Sequence, residues 1–162
     1  MSDGRRDPKT FAEPGPEHAG LMALAGEYDT TTRFVGPAGP IGNPLAGRAR
    51  LHAVGGRFLV EEHAGSMGAE PVAGLRTYAF NNATGRYEGC ATHGLSTALM
   101  TLSGTSADGG ITIDFDAAME TPGGRQSFAM TLRRAAEDRF TLGIRAAGGA
   151  GPVIETTYVR RA

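Results

Sequence analysis

The sequence predicts an all-β chain: an antiparallel up-and-down β-barrel of about ten strands, preceded by one short helix. Three observations point there. Beyond the first 26 residues, apolar and polar side chains alternate with period two, the mark of antiparallel strands with one wet face. Turn signals recur at roughly even spacing, at Gly55-Gly56, Asn81-Asn82-Ala83-Thr84-Gly85, Asp108-Gly109-Gly110 and Thr121-Pro122-Gly123-Gly124. Ten sequential strands in an open sheet would leave two unpaired edges, which closure removes. A two-sheet sandwich is the alternative, because loops at residues 36–44 and 146–152 are long enough to carry crossovers.

The elements follow in order. Residues 1–15 are polar, proline-bearing and charged at both signs, and read as a flexible arm that orders only where it docks. Residues 16–162 form the single barrel domain. Pro16 suits the first turn of a short helix with Leu21, Met22 and Leu24 on its apolar side, ending at Gly26. Such a helix is too short to stand alone, so it plugs or flanks the main body. Residues 27–35 begin the strands, with Tyr28, Thr30, Thr32 and Phe34 on one side. The stretch 36–44, GPAGPIGNP, is expected to be a rigid loop that cannot continue a strand. Residues 45–54 and 58–65 make a hairpin about Gly55-Gly56, a pair suited to the positive φ angles of a tight turn. Further strands are expected at 72–80, 86–93, 96–106, 111–119, 126–134, about 140–144, and 153–160.

Composition bounds the function. The chain has 162 residues, enough for one domain with a real core. Sixteen basic and seventeen acidic side chains give a net charge of −1, so no electrostatic footprint for nucleic acid is present. Cys90 is the single cysteine, which excludes an intramolecular disulfide and a cysteine-rich metal site. The first residues lack the apolar run of a signal peptide, and no stretch approaches bilayer-spanning length. The expectation is a cytoplasmic protein with no membrane partner, with a homodimer as one option.

Several spaced motifs then fall into one pattern: PGPEH at Pro14–His18, LAGEYD at Leu24–Asp29, GGRFLVEE at Gly55–Glu62, YAFNNATGRYEG at Tyr78–Gly89 and ETTYVR at Glu155–Arg160. The chain resembles the bacterial domain of unknown function 1579 family, whose members look like small calycin- or lipocalin-like β-barrels. The resemblance runs from about Pro14 to Arg160 and implies the fold, but no activity. Family members usually carry tryptophan where this chain has Tyr28. In such barrels an aromatic of the first strand packs under an arginine of the last, which here implies a Tyr28–Arg160 cation–π pair closing one end. Small residues around Ala91, where the family often has a large aromatic, imply a wider interior.

Barrels of this size can enclose one small ligand, lined mostly by apolar side chains with a few polar anchors. The apolar phases supply Phe34, Phe58, Val60, Ile113, Phe115, Phe128, Met130, Leu132, Phe140 and Leu142 as lining; the same residues could instead simply fill a solid core. Glu62 shares a face with Phe58 and Val60, which is read as the inner side, with Arg76 or Arg133 as its charge partner. His93, beside Gly94 at a strand end, is the histidine best placed to act on a ligand. The expected ligand-binding set is Tyr28, Phe34, Phe58, Glu62, Arg76, Tyr78, His93, Phe115, Phe128 and Met130. His52 and His63, with Glu61, could hold a metal only if they met across the hairpin, and counting from Gly55-Gly56 offsets them. No metal and no cofactor are expected.

The leading functional reading is a binding module for a small hydrophobic or amphipathic molecule. An enzyme such as a cyclase, isomerase or hydrolase, with His93 and Glu62 as catalytic groups moving protons, competes with it. A structural or interaction protein with a filled barrel is the third reading.

Overall fold

The computed structural model describes residues 11–92, 94, 96–149 and 153–162. A helix α1 (Pro16–Met22) precedes ten strands: β1 (Gly26–Gly36), β2 (Gly39–Val54), β3 (Phe58–Met67), β4 (Glu70–Asn81), β5 (Arg86–Ala91), β6 (Met100–Thr105), β7 (Thr112–Thr121), β8 (Gly124–Ala136), β9 (Arg139–Ala146) and β10 (Val153–Arg160). Each strand pairs antiparallel with its sequence neighbours, and β1 pairs with β10 to close the barrel. The sandwich alternative is therefore excluded: closure satisfies both edges that a linear order of ten strands would leave open.

The turns perform as their sequences require. Gly55 and Gly56 have φ of 59° and 66°, values that cost residues bearing a Cβ but not glycine, and the Arg57 amide donates to the Val54 carbonyl at 3.2 Å. Asn81 organises its own loop, its Oδ1 accepting from the Ala83 amide at 2.9 Å.

One expectation is corrected. Residues 36–44 are not a rigid loop: β2 starts at Gly39, and Ile41 and Pro40 pair with Phe34 and Val35 of β1. Prolines are tolerated there because β3 joins β2 only from Gly47 onward, leaving Gly39–Ala46 bonded on one side, where a missing N–H can face outward. A bulge between Thr32 and Phe34 adjusts the register. The strand expected to begin at residue 96 begins at Met100.

The barrel is filled unevenly. At the end where β1 starts and β10 finishes, α1 caps the interior. Pro16 occupies its first turn, and the Gly15 amide donates to His18 Nδ1 at 2.9 Å. Leu21 and Leu24 are buried inward, each contributing roughly 1.5–3 kcal/mol of apolar transfer. Beneath the helix lies an aromatic cluster. Phe140 stacks on Tyr158 with centroids 4.1 Å apart, Tyr28 meets Phe140 edge-on at 5.2 Å, and Phe80 meets Tyr87 at 5.0 Å. Ile113, Phe115, Met130, Leu132 and Leu142 complete this core.

The Tyr28–Arg160 pair closes that end. The two are opposed in the β1–β10 register, and the guanidinium lies 5.1 Å from the ring centroid. Arg160 also donates to the Ala25 carbonyl from Nη1 and to the Ala23 carbonyl from Nη2, at 2.5 and 2.9 Å, and Tyr28 donates to the Leu24 carbonyl at 2.8 Å. One arginine thus satisfies carbonyls left open where the helix stops. R160Q is expected to lower stability by about 1–3 kcal/mol, measured as a shift of the urea midpoint at unchanged m-value.

Candidate functional site

The opposite end of the barrel is open. A cavity of about 250 Å³ lies there between β1–β4 and β9–β10. Its mouth is apolar, with Phe34, Leu45, Met67, Val72, Ile144 and Ile154. Deeper in come the hydroxyls of Thr30, Thr32 and Thr156, then His63, Arg76 and Tyr158. Every one of these positions follows from strand parity: Thr30, Thr32 and Phe34 alternate inward along β1, as do Ile154, Thr156 and Tyr158 along β10.

The cavity floor is a buried ionic cluster. Glu61 and Arg76 are direct cross-strand partners on β3 and β4. Glu61 is fully buried, and its Oε1 accepts from Arg76 Nη1 at 2.5 Å and from the Tyr158 hydroxyl at 2.8 Å. Its Oε2 accepts from the Tyr78 hydroxyl at 3.2 Å. Arg76 Nη1 also lies 3.2 Å from both Tyr158 Oη and His63 Nδ1, and His63 Nδ1 stands 3.4 Å from Glu61 Oε1. A charge taken out of water is tolerable only when paired and fully hydrogen-bonded, and here both carboxylate oxygens are.

The electrostatics follow. Burial by itself would raise the Glu61 carboxyl. Arg76 beside it, with His63 and the Tyr158 hydroxyl, outweighs burial and holds it at about 2. Burial likewise works against the Arg76 charge, but Glu61 keeps the guanidinium protonated beyond its ordinary range. Burial first, and then the Glu61 charge, push the Tyr78 and Tyr158 phenols well above theirs. Both tyrosines therefore act as hydroxyl donors rather than as phenolates.

Room for this cluster is made by a glycine. Gly74 faces His63 across the β3–β4 ladder, and a Cβ there would collide with the imidazole Nε2 and come within 2.6 Å of the Thr92 carbonyl oxygen.

The structure brings together only part of the set expected from sequence. Phe34 and Arg76 line the cavity, and Tyr78 supports its floor. Glu62 and Phe58 are corrected: both point to solvent, Phe58 with 49% of its surface exposed. They do share a face with Val60, but it is the outer one, because Leu59, Glu61 and His63 take the inner phase of β3. Arg133 is exposed on β8 and pairs with neither glutamate. Tyr28, Phe115 and Met130 belong to the buried core of the filled half, and Phe128 is a partly buried residue packed against that core; none of the four lines the cavity. His93 lies outside the described residues. His52 and His63 are three positions out of register, His52 facing Val60 and His63 facing Ala49. Among the described residues no cluster of three His, Cys, Asp or Glu side chains could hold a metal ion.

Sequence reasoning missed His63, Thr30, Thr32, Thr156 and Tyr158 as cavity residues, and Glu61 buried beneath them. The available signal was that Glu61 and His63 lie in phase with Leu59, and that Gly74 clears space opposite His63.

The family model described as "Protein of unknown function (DUF1579)" matches residues 13–160. The chain belongs to that family. Among solved structures it is similar to Rv2717c from M. tuberculosis, with 16% identity, a TM-score of 0.65, and coverage of 93% of this chain and 100% of that one. It is also similar to an S-type phycobiliprotein lyase, CPES, from Guillardia theta, with 11% identity, a TM-score of 0.51, and coverage of 88% and 90%. A redesigned β-barrel matches at 12% identity and a TM-score of 0.50, covering 88% of this chain and 96% of its own. These identities establish a shared fold and nothing finer. No curated protein matches the chain.

Two outcomes follow from the cluster. Because the folded Glu61 carboxyl titrates below its unfolded value, the stability it contributes is present above about pH 4.5 and lost as pH falls toward about 2. E61Q is expected to be several kcal/mol less stable than the wild type at neutral pH, and denaturant titrations should show that gap narrowing through this window. G74A is expected to cost about 1–3 kcal/mol by overpacking, with the His63 imidazole NMR resonances displaced from their wild-type positions.

Proposed function

We propose that this protein binds a small, largely apolar molecule inside the open end of its barrel. The observation that carries the reading is the cavity itself: apolar at the mouth, polar at the floor, and separated from a well-packed core by the Glu61–Arg76 cluster. A barrel that merely filled its interior would have no reason to stop packing halfway along its axis. The pattern of apolar walls with a few convergent polar groups is the usual form of a small-molecule site.

Size limits the ligand. At about 250 Å³ the cavity falls just short of the range of roughly 300–1,000 Å³ common for drug-sized ligands. A small ligand would sit between these walls, and a longer one would project past Met67 and Ile154 at the mouth.

Native mass spectrometry of protein freshly purified from its own host tests the reading. A stoichiometric extra mass, lost on denaturation, is expected. The variant I154W, which places an indole across the cavity wall, should fold and lack it. Equal bare-chain masses for both proteins would count against a resident ligand.

A further inference from the structure

We infer that the cavity selects an uncharged hydrogen-bond acceptor, a carbonyl-bearing molecule such as an amide, ketone or lactone, over the carboxylate of the same size. The inference rests on the binding role proposed above and assigns the chemical class of its ligand.

The floor of the cavity has few polar groups left to offer a ligand. All three hydrogen-bonding contacts of the Arg76 guanidinium leave from Nη1, toward Glu61, His63 and Tyr158. Its Nε and Nη2 have no partner among the described residues and are not sealed from the cavity that Arg76 lines. Guanidinium nitrogens can only donate. The Thr30 hydroxyl also lines the cavity without a partner among the described residues. Thr32 and Thr156 are engaged with each other at 2.9 Å. The carboxylate of the floor is engaged: Glu61 Oε1 and Oε2 each accept from donors of the protein. The hydroxyls can donate or accept, but the guanidinium can only donate, so the group that docks on Arg76 must accept.

Charge then separates the two kinds of acceptor. An arginine free of its own counter-ion would favour a carboxylate. Arg76 is not free: the ionised Glu61 sits directly on it, and the two charges sum to zero. A ligand carboxylate entering this site would lose its water and meet a floor with no net positive charge, while its negative charge stood near that of Glu61. An isolated anion in such a site is strongly penalised, whereas a neutral carbonyl loses far less hydration and gains the same donors. Glu61 thus positions Arg76 as a directional donor while cancelling its charge.

The test uses octanamide and octanoate, which match in size and differ in charge. Binding to the full chain is measured by calorimetry at about pH 8, above the ordinary imidazole range. Octanamide is expected to bind at least about tenfold more tightly. Octanoate binding as tightly as octanamide, or more so, would overturn the ligand class while leaving the binding role intact. If neither binds, the binding role itself fails, and the inference with it. E61Q supplies the second arm, since it keeps the shape of the floor and restores the net charge of Arg76. Octanoate should raise the melting temperature of E61Q more than octanamide does, reversing the wild-type order. An unreversed order in folded E61Q would show that Glu61 does not set the preference.

Discussion

The interior of this barrel depends on one buried ion pair. Glu61 and Arg76 face each other at mid-height on β3 and β4, and Tyr158 reaches them from β10, at the far end of the sequence. Burying two charges is unfavourable unless every remaining valence is met. That requirement recruits Tyr78, Tyr158 and His63 and holds three strands in one geometry. Below the pair the aromatic core continues to the helix plug; above it the packing stops and the cavity begins. The pair is thus a structural support and the floor of the site.

Glycine is used differently in the two halves. On the filled side, Gly104 is met by Phe115, whose Cδ1 would lie 2.7 Å from a Cβ at that position, so a large neighbour takes up the vacated volume. On the open side, Gly47 faces the Ala64 carbonyl and the Thr30 hydroxyl, and no large apolar group compensates. The closing strands repeat the contrast: β9 and β10 give Phe140 and Leu142 to the core, Ile144, Ile154 and Thr156 to the cavity wall, and Tyr158 to the boundary between them. A cavity arises where small residues on neighbouring strands coincide, which is a property of the register between strands.

Membership of a family without an assigned activity adds the fold and leaves the site to be read from its own chemistry. That chemistry is a buried Glu61–Arg76 pair whose two charges offset one another, beneath hydroxyls and apolar walls.

Much of the architecture was legible in the sequence because it is local. Period-two alternation and turn residues such as Gly55-Gly56 and Asn81 act within a few positions of themselves, and they set the number and order of the strands. The Tyr28–Arg160 closure was legible through resemblance alone, since the two residues stand at opposite ends of the chain. Strand phase was not legible where it mattered most. Phe58-Leu59-Val60 offers apolar side chains to both faces, so the run cannot say which of Glu61 and Glu62 turns inward, and a slip of one residue exchanges them. Only the closed barrel decides, because Leu59 and Glu61 must meet Tyr78 and Arg76 on one side of the sheet. The cavity is likewise tertiary: Thr30, His63, Arg76 and Thr156 come from four strands and share no sequence pattern. Sequence determined the strands because hydrogen-bonded turns and alternation are short-range; structure decided the site because burial, charge pairing and empty volume depend on which strands close against which.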